Sequence, residues 1–158
     1  SGMADNGLHS AADFDKQISA YRREETKLRN EIAELRSKRK TYAATAHNLQ
    51  VCHTYKSVWL EYASQPLFKK GAFYKQNEAA LQTYSRAASQ LDGMGISQLV
   101  EPEKIQRLVS ETENRITELV AELEKVQNAD NGMQEDKEMV KKIQSNEING
   151  TYSAFSRA

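Results

Sequence analysis

The feature that most constrains this chain is a long stretch without helix breakers, with no proline between Ser10 and Pro66 and no glycine between Ser10 and Gly71. Within it, apolar side chains recur at alternating spacings of four and three residues. This period of about 3.5 is typical of coiled-coil helices. We predict one helix over about residues 10 to 64 that buries this stripe against another helix. The stripe consists of Phe14, Ile18, Tyr21, Glu25, Leu28, Ile32, Leu35, Arg39, Tyr42, Ala46 and Leu49, in which Glu25 and Arg39 are the two charged exceptions.

Proline and glycine place the remaining helices. Pro66 ends the first helix close to Ser64, because proline lacks a backbone donor and restricts the residue before it. We predict a second helix over about residues 70 to 91, which a glycine-containing turn brings to an end. Pro102 lies between two glutamates and opens a third helix over about residues 102 to 144, since proline and acidic side chains favour a first helical turn.

The third helix carries a second stripe with the same spacing, and the two stripes together predict the fold. We predict an all-α fold, in which a long antiparallel coiled-coil hairpin is joined by the short helix in a small bundle at its distal end. The alternative is that the long helices of two chains pair with each other, and the spacing does not distinguish these arrangements. The second stripe consists of Ile105, Val109, Thr112, Ile116, Leu119, Leu123, Val126, Asp130, Met133, Lys137 and Val140.

Residues 10–144 are predicted to form a single helical coiled-coil domain. Residues 1–9 are expected to be a flexible start, in which Ser1 and Gly2 before a methionine resemble an expression remnant. Residues 145–158 are expected to be a flexible, polar tail.

Composition narrows the class of function. The 22 basic and 22 acidic residues cancel, whereas a dedicated nucleic-acid binder usually has a basic excess. The single cysteine excludes an internal disulfide and a multi-cysteine zinc site, and it agrees with a reducing compartment. No segment approaches the roughly 20 apolar residues that a membrane span needs. We therefore expect a cytoplasmic protein with no membrane partner.

Two groups of side chains are candidates for binding. The densest basic run is predicted to contact DNA phosphates weakly, although these residues also alternate with glutamates as on an ordinary solvated helix. It comprises Arg36, Lys38, Arg39 and Lys40. The second group is predicted to bind a protein partner, although aromatic residues at helical spacing also suit core packing. It comprises Tyr55, Trp59, Tyr62, Phe68, Lys69 and Lys70.

Residues capable of catalysis or metal binding do not converge in the sequence pattern. His47 and His53 are six residues apart, which places them on different faces of a helix. Cys52 next to His53 lacks the arrangement that activates a thiol nucleophile. We predict no catalytic residue, metal site or cofactor, and we do not expect an enzyme.

Three segments carry a resemblance to a known family. They are the charged helix Leu28–Leu35, the segment Tyr55–Tyr62 and the segment Phe68–Leu81 with its Phe-Lys-Lys start. In this order they resemble the helical region that lies C-terminal to the nuclease domain in relaxases (mobilisation nucleases) of Gram-positive conjugative and mobilisable elements. The resemblance assigns Tyr55 and Tyr62 to the tyrosine-containing accessory segment of that region rather than to the catalytic tyrosine.

The resemblance implies a non-catalytic accessory role in conjugative DNA processing, with binding to protein partners or DNA. The nuclease part of such relaxases uses a tyrosine nucleophile and a histidine cluster that binds a metal. This sequence has no His-x-His or three-histidine cluster, so that activity is not transferred to any residue here. A structural spacer or dimerisation module, which associates through its coiled coil and has no nucleic-acid role, is the alternative function.

Overall fold

The computed structural model describes residues 10–157, with side chains for residues 10–146, so the predicted flexible start lies outside the described residues. Over this range the chain is all-helical, with four helices and no strand, which confirms the all-α prediction. Within the same range, no helix combines the length and the apolar character that crossing a membrane requires. The helices are α1 (Ala11–Ser64), α2 (Leu67–Gln76), α3 (Glu78–Gly93) and α4 (Pro102–Arg157).

The bounds of α1 follow from its first and last side chains. The backbone N–H of Asp13 donates to the Ser10 hydroxyl over 3.2 Å, and that hydroxyl donates to the Asp13 carboxylate over 2.8 Å. This arrangement satisfies an N-terminal donor that has no partner inside the helix. The helix ends at Ser64, two residues before Pro66, as predicted.

The region predicted as one helix over 70–91 forms two helices. α2 already begins at Leu67, because the Pro66 carbonyl accepts bonds from the N–H groups of Lys69 and Lys70 at 2.8 and 3.1 Å. The interruption falls at Asn77, whose side-chain amide donates to the Phe73 carbonyl over 3.0 Å. Asparagine side chains compete with the backbone for hydrogen bonds in this way, and this competition accounts for the break.

α3 ends in a turn that needs glycine. Gly95 has a φ of +68°, in the left-handed region that glycine occupies without steric cost. The N–H of Ile96 donates to the Leu91 carbonyl over 2.9 Å, and the N–H of Gly95 donates to the Asp92 carbonyl over 3.0 Å. These two bonds, with Ile96 packed on the core that contains Leu91, are the usual helix-ending motif of this type.

α4 is longer than predicted. It continues without a break through Asn128–Gly132, and it ends at Arg157 rather than near residue 144. The backbone of residues 145–157, predicted as a flexible tail, is therefore helical.

The chain divides into two compact units. Unit 1 contains the residues up to Ala33 and those from Thr117 onward, and unit 2 is Glu34–Ile116. The core of unit 1 includes Phe14, Ile18, Leu28, Ile32 and Leu119, all of them buried stripe positions.

Unit 2 has the larger apolar cluster. It is built from α1, which contributes Leu49 and Cys52, and from α3, which contributes Tyr84, Ala87 and Leu91. Half-buried side chains pack around it, among them Tyr55, Trp59, Ile96, Val100 and Ile105.

Candidate nucleic-acid interface

The predicted basic run lies on an exposed part of α1 within unit 2. Three of its four residues, Arg36, Arg39 and Lys40, line one shallow groove together with Ala43, Val109 and Glu113. Lys38 does not line this groove, because two residues along a helix correspond to a rotation of about 200°. The structure therefore brings three of the predicted cations onto one face and places the fourth elsewhere.

The electrostatics of this groove are mixed. Arg39 Nη1 lies 3.9 Å from Glu113 Oε1 and so forms a weak ion pair between two half-exposed side chains. Arg36, Lys38 and Lys40 make no ion pair with any residue that the structure describes. Their charges are therefore available to an anionic ligand, while Glu113 opposes such a ligand.

The predicted aromatic group is largely a packing cluster. The Trp59 ring stacks on Tyr84 with centroids 5.0 Å apart and lies 5.7 Å from Tyr62 at a tilt of 48°. Tyr62 in turn lies against Phe73 and Tyr74, at 6.4 and 5.9 Å. These mutual contacts cover much of the ring surface, so that Trp59 and Tyr62 are only half-exposed. Tyr55 is half-exposed as well, because it packs against the core cluster of unit 2.

The lysines of this group contact aromatic rings. Lys70 Nζ lies 5.4 Å from the Tyr62 ring centroid, and Lys69 Nζ lies 5.7 Å from that of Phe68. Both distances suit a cation–π interaction. The cations hold positions beside the ring faces, where a phosphate or a carboxylate can reach them from solvent.

A second groove, with a volume of ≈ 650 Å³, joins α1, α2 and α3 within unit 2. Trp59, Tyr62 and Tyr74 form its aromatic part, and Arg86 on α3 supplies a positive charge. The amide of Gln82 approaches the Tyr74 hydroxyl at 3.5 Å, which leaves polar groups next to the rings. Gln82 and Arg86 were not predicted as site residues from the sequence.

The strongest signal in this region is its charge. Between Leu35 and Leu91 there are nine lysines and arginines but only two acidic residues, Glu61 and Glu78, which leaves seven positive charges. Eight of the nine basic side chains are exposed, and Lys70 is half-exposed. The cations that sequence analysis left out are Lys56, Lys75 and Arg86. A sliding count of charge along the chain would have found them, whereas the count over the whole chain is zero.

The residues considered for catalysis have structural surroundings. Cys52 is fully buried in the core of unit 2, and burial raises the pKa of its thiol. Such a thiol is a poor nucleophile, because the thiolate is the reactive form. His53 Nε2 lies 3.0 Å from the Gln98 carbonyl oxygen and can donate a hydrogen bond to it. Among the described residues, no three side chains of the His, Cys, Asp or Glu type group together as metal ligands.

Comparison with known proteins gives no match: no family model, curated protein or solved structure is similar to this chain.

Proposed function

We propose that this chain is a non-catalytic, cytoplasmic helical accessory module of a relaxase-like mobilisation protein, and that unit 2 contacts DNA. The observation that carries the proposal is the excess of seven positive charges between Leu35 and Leu91, on side chains that are almost all exposed. Phosphate contacts by lysine and arginine supply most of the sequence-independent affinity for DNA. The zero charge of the whole chain does not oppose this, because unit 2 as a whole has twelve basic and eight acidic residues and so keeps an excess of four positive charges.

The arrangement of the cations supports contact with a DNA backbone rather than with a single phosphate. One set, Arg36, Arg39 and Lys40, lines the groove on α1, and Arg86 lines the groove that also holds Trp59 and Tyr62. Charges distributed over a surface without a single deep pocket suit a long polyanion. The aromatic rings are already stacked on one another, so we assign them mainly to packing and the cations to binding.

The framework of the proposed module is an antiparallel coiled-coil hairpin of α1 and α4. In support, almost every position of the two predicted stripes is buried or half-buried, with Arg39 as the exposed exception. Within unit 1, Asp15 pairs with Lys137, and the Glu25 carboxyl bonds to Asp130, so the sequence order of contacts on α4 is reversed relative to α1. This order is what antiparallel neighbours produce.

DNA binding is tested by fluorescence anisotropy with labelled duplex and single-stranded oligonucleotides over a range of salt concentrations. We expect wild-type binding to weaken as salt increases, with a slope that reports the number of phosphates contacted. The variant R36A/K38A/R39A/K40A is expected to reduce both the affinity and this slope. If all four cations contact phosphates, the slope falls by about 3 to 4.

A matched control removes the same number of positive charges from unit 1. Arg23, Lys27, Lys125 and Lys142 are exposed, and R23A/K27A/K125A/K142A should bind DNA nearly as well as the wild type. If both variants lost the same amount of DNA affinity, the effect would depend only on total charge, and this result would contradict an interface in unit 2. No binding at low salt would eliminate the DNA function.

The second candidate function is a structural spacer or dimerisation module, favoured by the burial of apolar stripes along two helices of 54 and 56 residues. This function requires the long helices to pair between chains. Cross-linking of a chain with cysteines in place of Asp15 and Lys137, which pair in unit 1, in a Cys52→Ser background, distinguishes pairing within one chain from pairing between two. A product of monomer mass supports the hairpin, and a covalent dimer supports the spacer.

A further inference from the structure

Exposed apolar side chains occur as neighbours in two places. Leu67 and Phe68 open α2 and are 89% and 83% exposed, and Met139 and Ile143, one helical turn apart on α4, are 62% and 52% exposed. Isolated apolar residues on a surface are ordinary, but adjacent ones that bury nothing indicate a surface that another molecule covers. We call the first place the α2 corner (Leu67, Phe68, Lys69 and Lys70) and the second the α4 face (Glu135, Glu138, Met139 and Ile143).

The α2 corner is positively charged. Lys69 and Lys70 follow the two apolar residues directly, and no acidic residue lies in the first turn of α2. Lys75 adds a third cation on the same helix. A partner for this corner must therefore combine apolar side chains with negative charge.

The α4 face has this combination. Glu135 lies one turn before Met139, Glu138 lies next to it, and both glutamates are exposed and border the same shallow groove as Met139. Lys142 also borders this groove and partly offsets their charge. From Thr117 to Asn146, a range that includes Lys141 and Lys142, the chain contains seven acidic and four basic residues, so the helix around this face keeps a net negative charge.

We infer that a second copy of this chain docks here, with the α2 corner of one copy on the α4 face of the other. Three observations support the inference: each surface leaves two large apolar side chains exposed, the flanking charges are opposite, and the positive and negative charges of a neutral chain are segregated. Proteins with no net charge tend to associate, because no overall repulsion keeps them apart. The inference does not depend on DNA binding.

The contact joins two different surfaces, so after a single docking event one copy keeps a free α4 face and the other keeps a free α2 corner. Such contacts either close on themselves or continue into longer assemblies. The surfaces are small, and interfaces of this size are typically weak and transient. We therefore expect association that depends on concentration and decreases with salt, which screens exposed charges.

Sedimentation velocity between about 10 µM and about 500 µM, a range suited to weak interfaces, tests this inference. At low salt, the wild-type sedimentation coefficient is expected to rise with concentration. K69E/K70E and E135K/E138K should each remain monomeric, because like charges then face each other across the contact. The apolar variant L67S/F68S should also remain monomeric, and its substitutions lie at exposed positions that leave the fold intact.

Mixing the two charge-reversed variants gives the decisive result. K69E/K70E retains a normal α4 face and E135K/E138K retains a normal α2 corner, so a mixture is expected to associate although neither variant does alone. Controls with the same change in net charge at other exposed sites, K38E/K40E and E24K/E34K, should associate like the wild type.

Three outcomes would overturn the inference. One is a wild-type chain that stays monomeric over the whole range, and another is a mixture that fails to associate. The third is a control pair that loses association as completely as the variants at the α2 corner and the α4 face, since the effect would then depend on total charge alone.

Discussion

Replacing Glu25 with glutamine is expected to stabilise unit 1 at neutral pH. Glu25 on α1 and Asp130 on α4 are only 8% and 5% exposed, and both occupy stripe positions that apolar residues otherwise fill. The pKa of Glu25 is raised, mainly because burial disfavours the charged form of its carboxyl. The interaction with the Asp130 carboxyl and the repulsion from the negative charge of Asp130 raise it further. Arg29, at 3.5 Å, and Arg22 oppose this shift. One oxygen of Glu25, Oε1, is buried without a hydrogen-bond partner among the described residues.

The magnitude follows from this geometry. A buried polar group without a partner costs about 1 to 3 kcal/mol, and more if it is charged. Arg29 compensates part of this cost, so we take the lower end and expect Glu25→Gln to raise the free energy of unfolding by about 1 kcal/mol at neutral pH. The amide keeps the size of the side chain and can donate to Asp130. With a urea dependence of about 2 kcal/mol per molar, the unfolding midpoint should rise by about 0.5 M.

The sign of the pH dependence provides a second check. Because folding raises the pKa of Glu25, the folded chain holds this proton more tightly than the unfolded chain. The resulting stabilisation is complete below the pKa of Glu25 in the unfolded chain, which is about 4.3 for glutamate. It is lost as the pH rises through the pKa of Glu25 in the folded chain. The difference between Glu25→Gln and the wild type should therefore be largest at neutral pH and shrink on acidification.

The assay is urea unfolding followed by circular dichroism at a neutral and an acidic pH. The neighbouring exposed residue provides the control, since Glu24→Gln changes the same charge without any effect on the buried pair. A variant that is no more stable than the wild type at neutral pH, or a control that gains as much, would refute the argument from burial.

Three further predictions concern unit 2. Leu49→Ala, at a fully buried position, should lower the free energy of unfolding by about 2 to 5 kcal/mol, whereas Leu60→Ala at an exposed position should change it by less than about 0.5 kcal/mol in the same urea assay. Cys52 should react with a thiol reagent much more slowly in the folded chain than in urea, because its thiol is buried and its pKa is raised; equal rates would contradict its burial. Glu113→Gln should strengthen DNA binding by about twofold to fivefold in the anisotropy assay, because it removes a negative charge from the groove and releases Arg39 from an ion pair. Weaker binding by this variant would count against this groove as the interface.

The helical architecture could be predicted because its main determinants are local. The 4-3 spacing of apolar residues sets which face of a helix is buried, and the burial of Phe14, Ile18, Leu28 and Ile32 agrees with that spacing. The end of α1 before Pro66 was predictable for the same reason, because one residue removes the donor that a helix needs.

The division between α2 and α3 was not predictable from periodicity. Asn77 lies inside the segment that was predicted as a single helix over residues 70 to 91. Nothing in the spacing of the apolar residues there marks Asn77 as an interruption. The break depends on a hydrogen bond from its side-chain amide to the Phe73 carbonyl, which competes with continuation of the helix. The early start of α2 at Leu67 likewise depends on the carbonyl of Pro66, which sequence analysis treated only as a stop signal.

The candidate interface was found in part because binding residues are recognised by type, whereas their arrangement depends on the fold. The run of four cations was visible in the sequence, but the helical rotation separates Lys38 from the groove of Arg36, Arg39 and Lys40. Arg86 was invisible to a search for runs, because it lies alone on α3 and reaches the aromatic groove only through packing.

The net charge also depends on the length of chain over which it is counted. Summed over the chain, 22 basic and 22 acidic residues argue against a polyanion as ligand. A polyanion, however, responds to the local field within about 10 Å at ordinary salt, so the charges of the surface that it contacts matter more than the total charge of the chain. The excess between Leu35 and Leu91 therefore remains effective despite the neutral total. The acidic stretch from Thr117 to Val140 offers the complementary surface to another copy of the chain. Salt should then weaken both DNA binding and self-association, but reversing the charges of the α4 face should abolish only self-association.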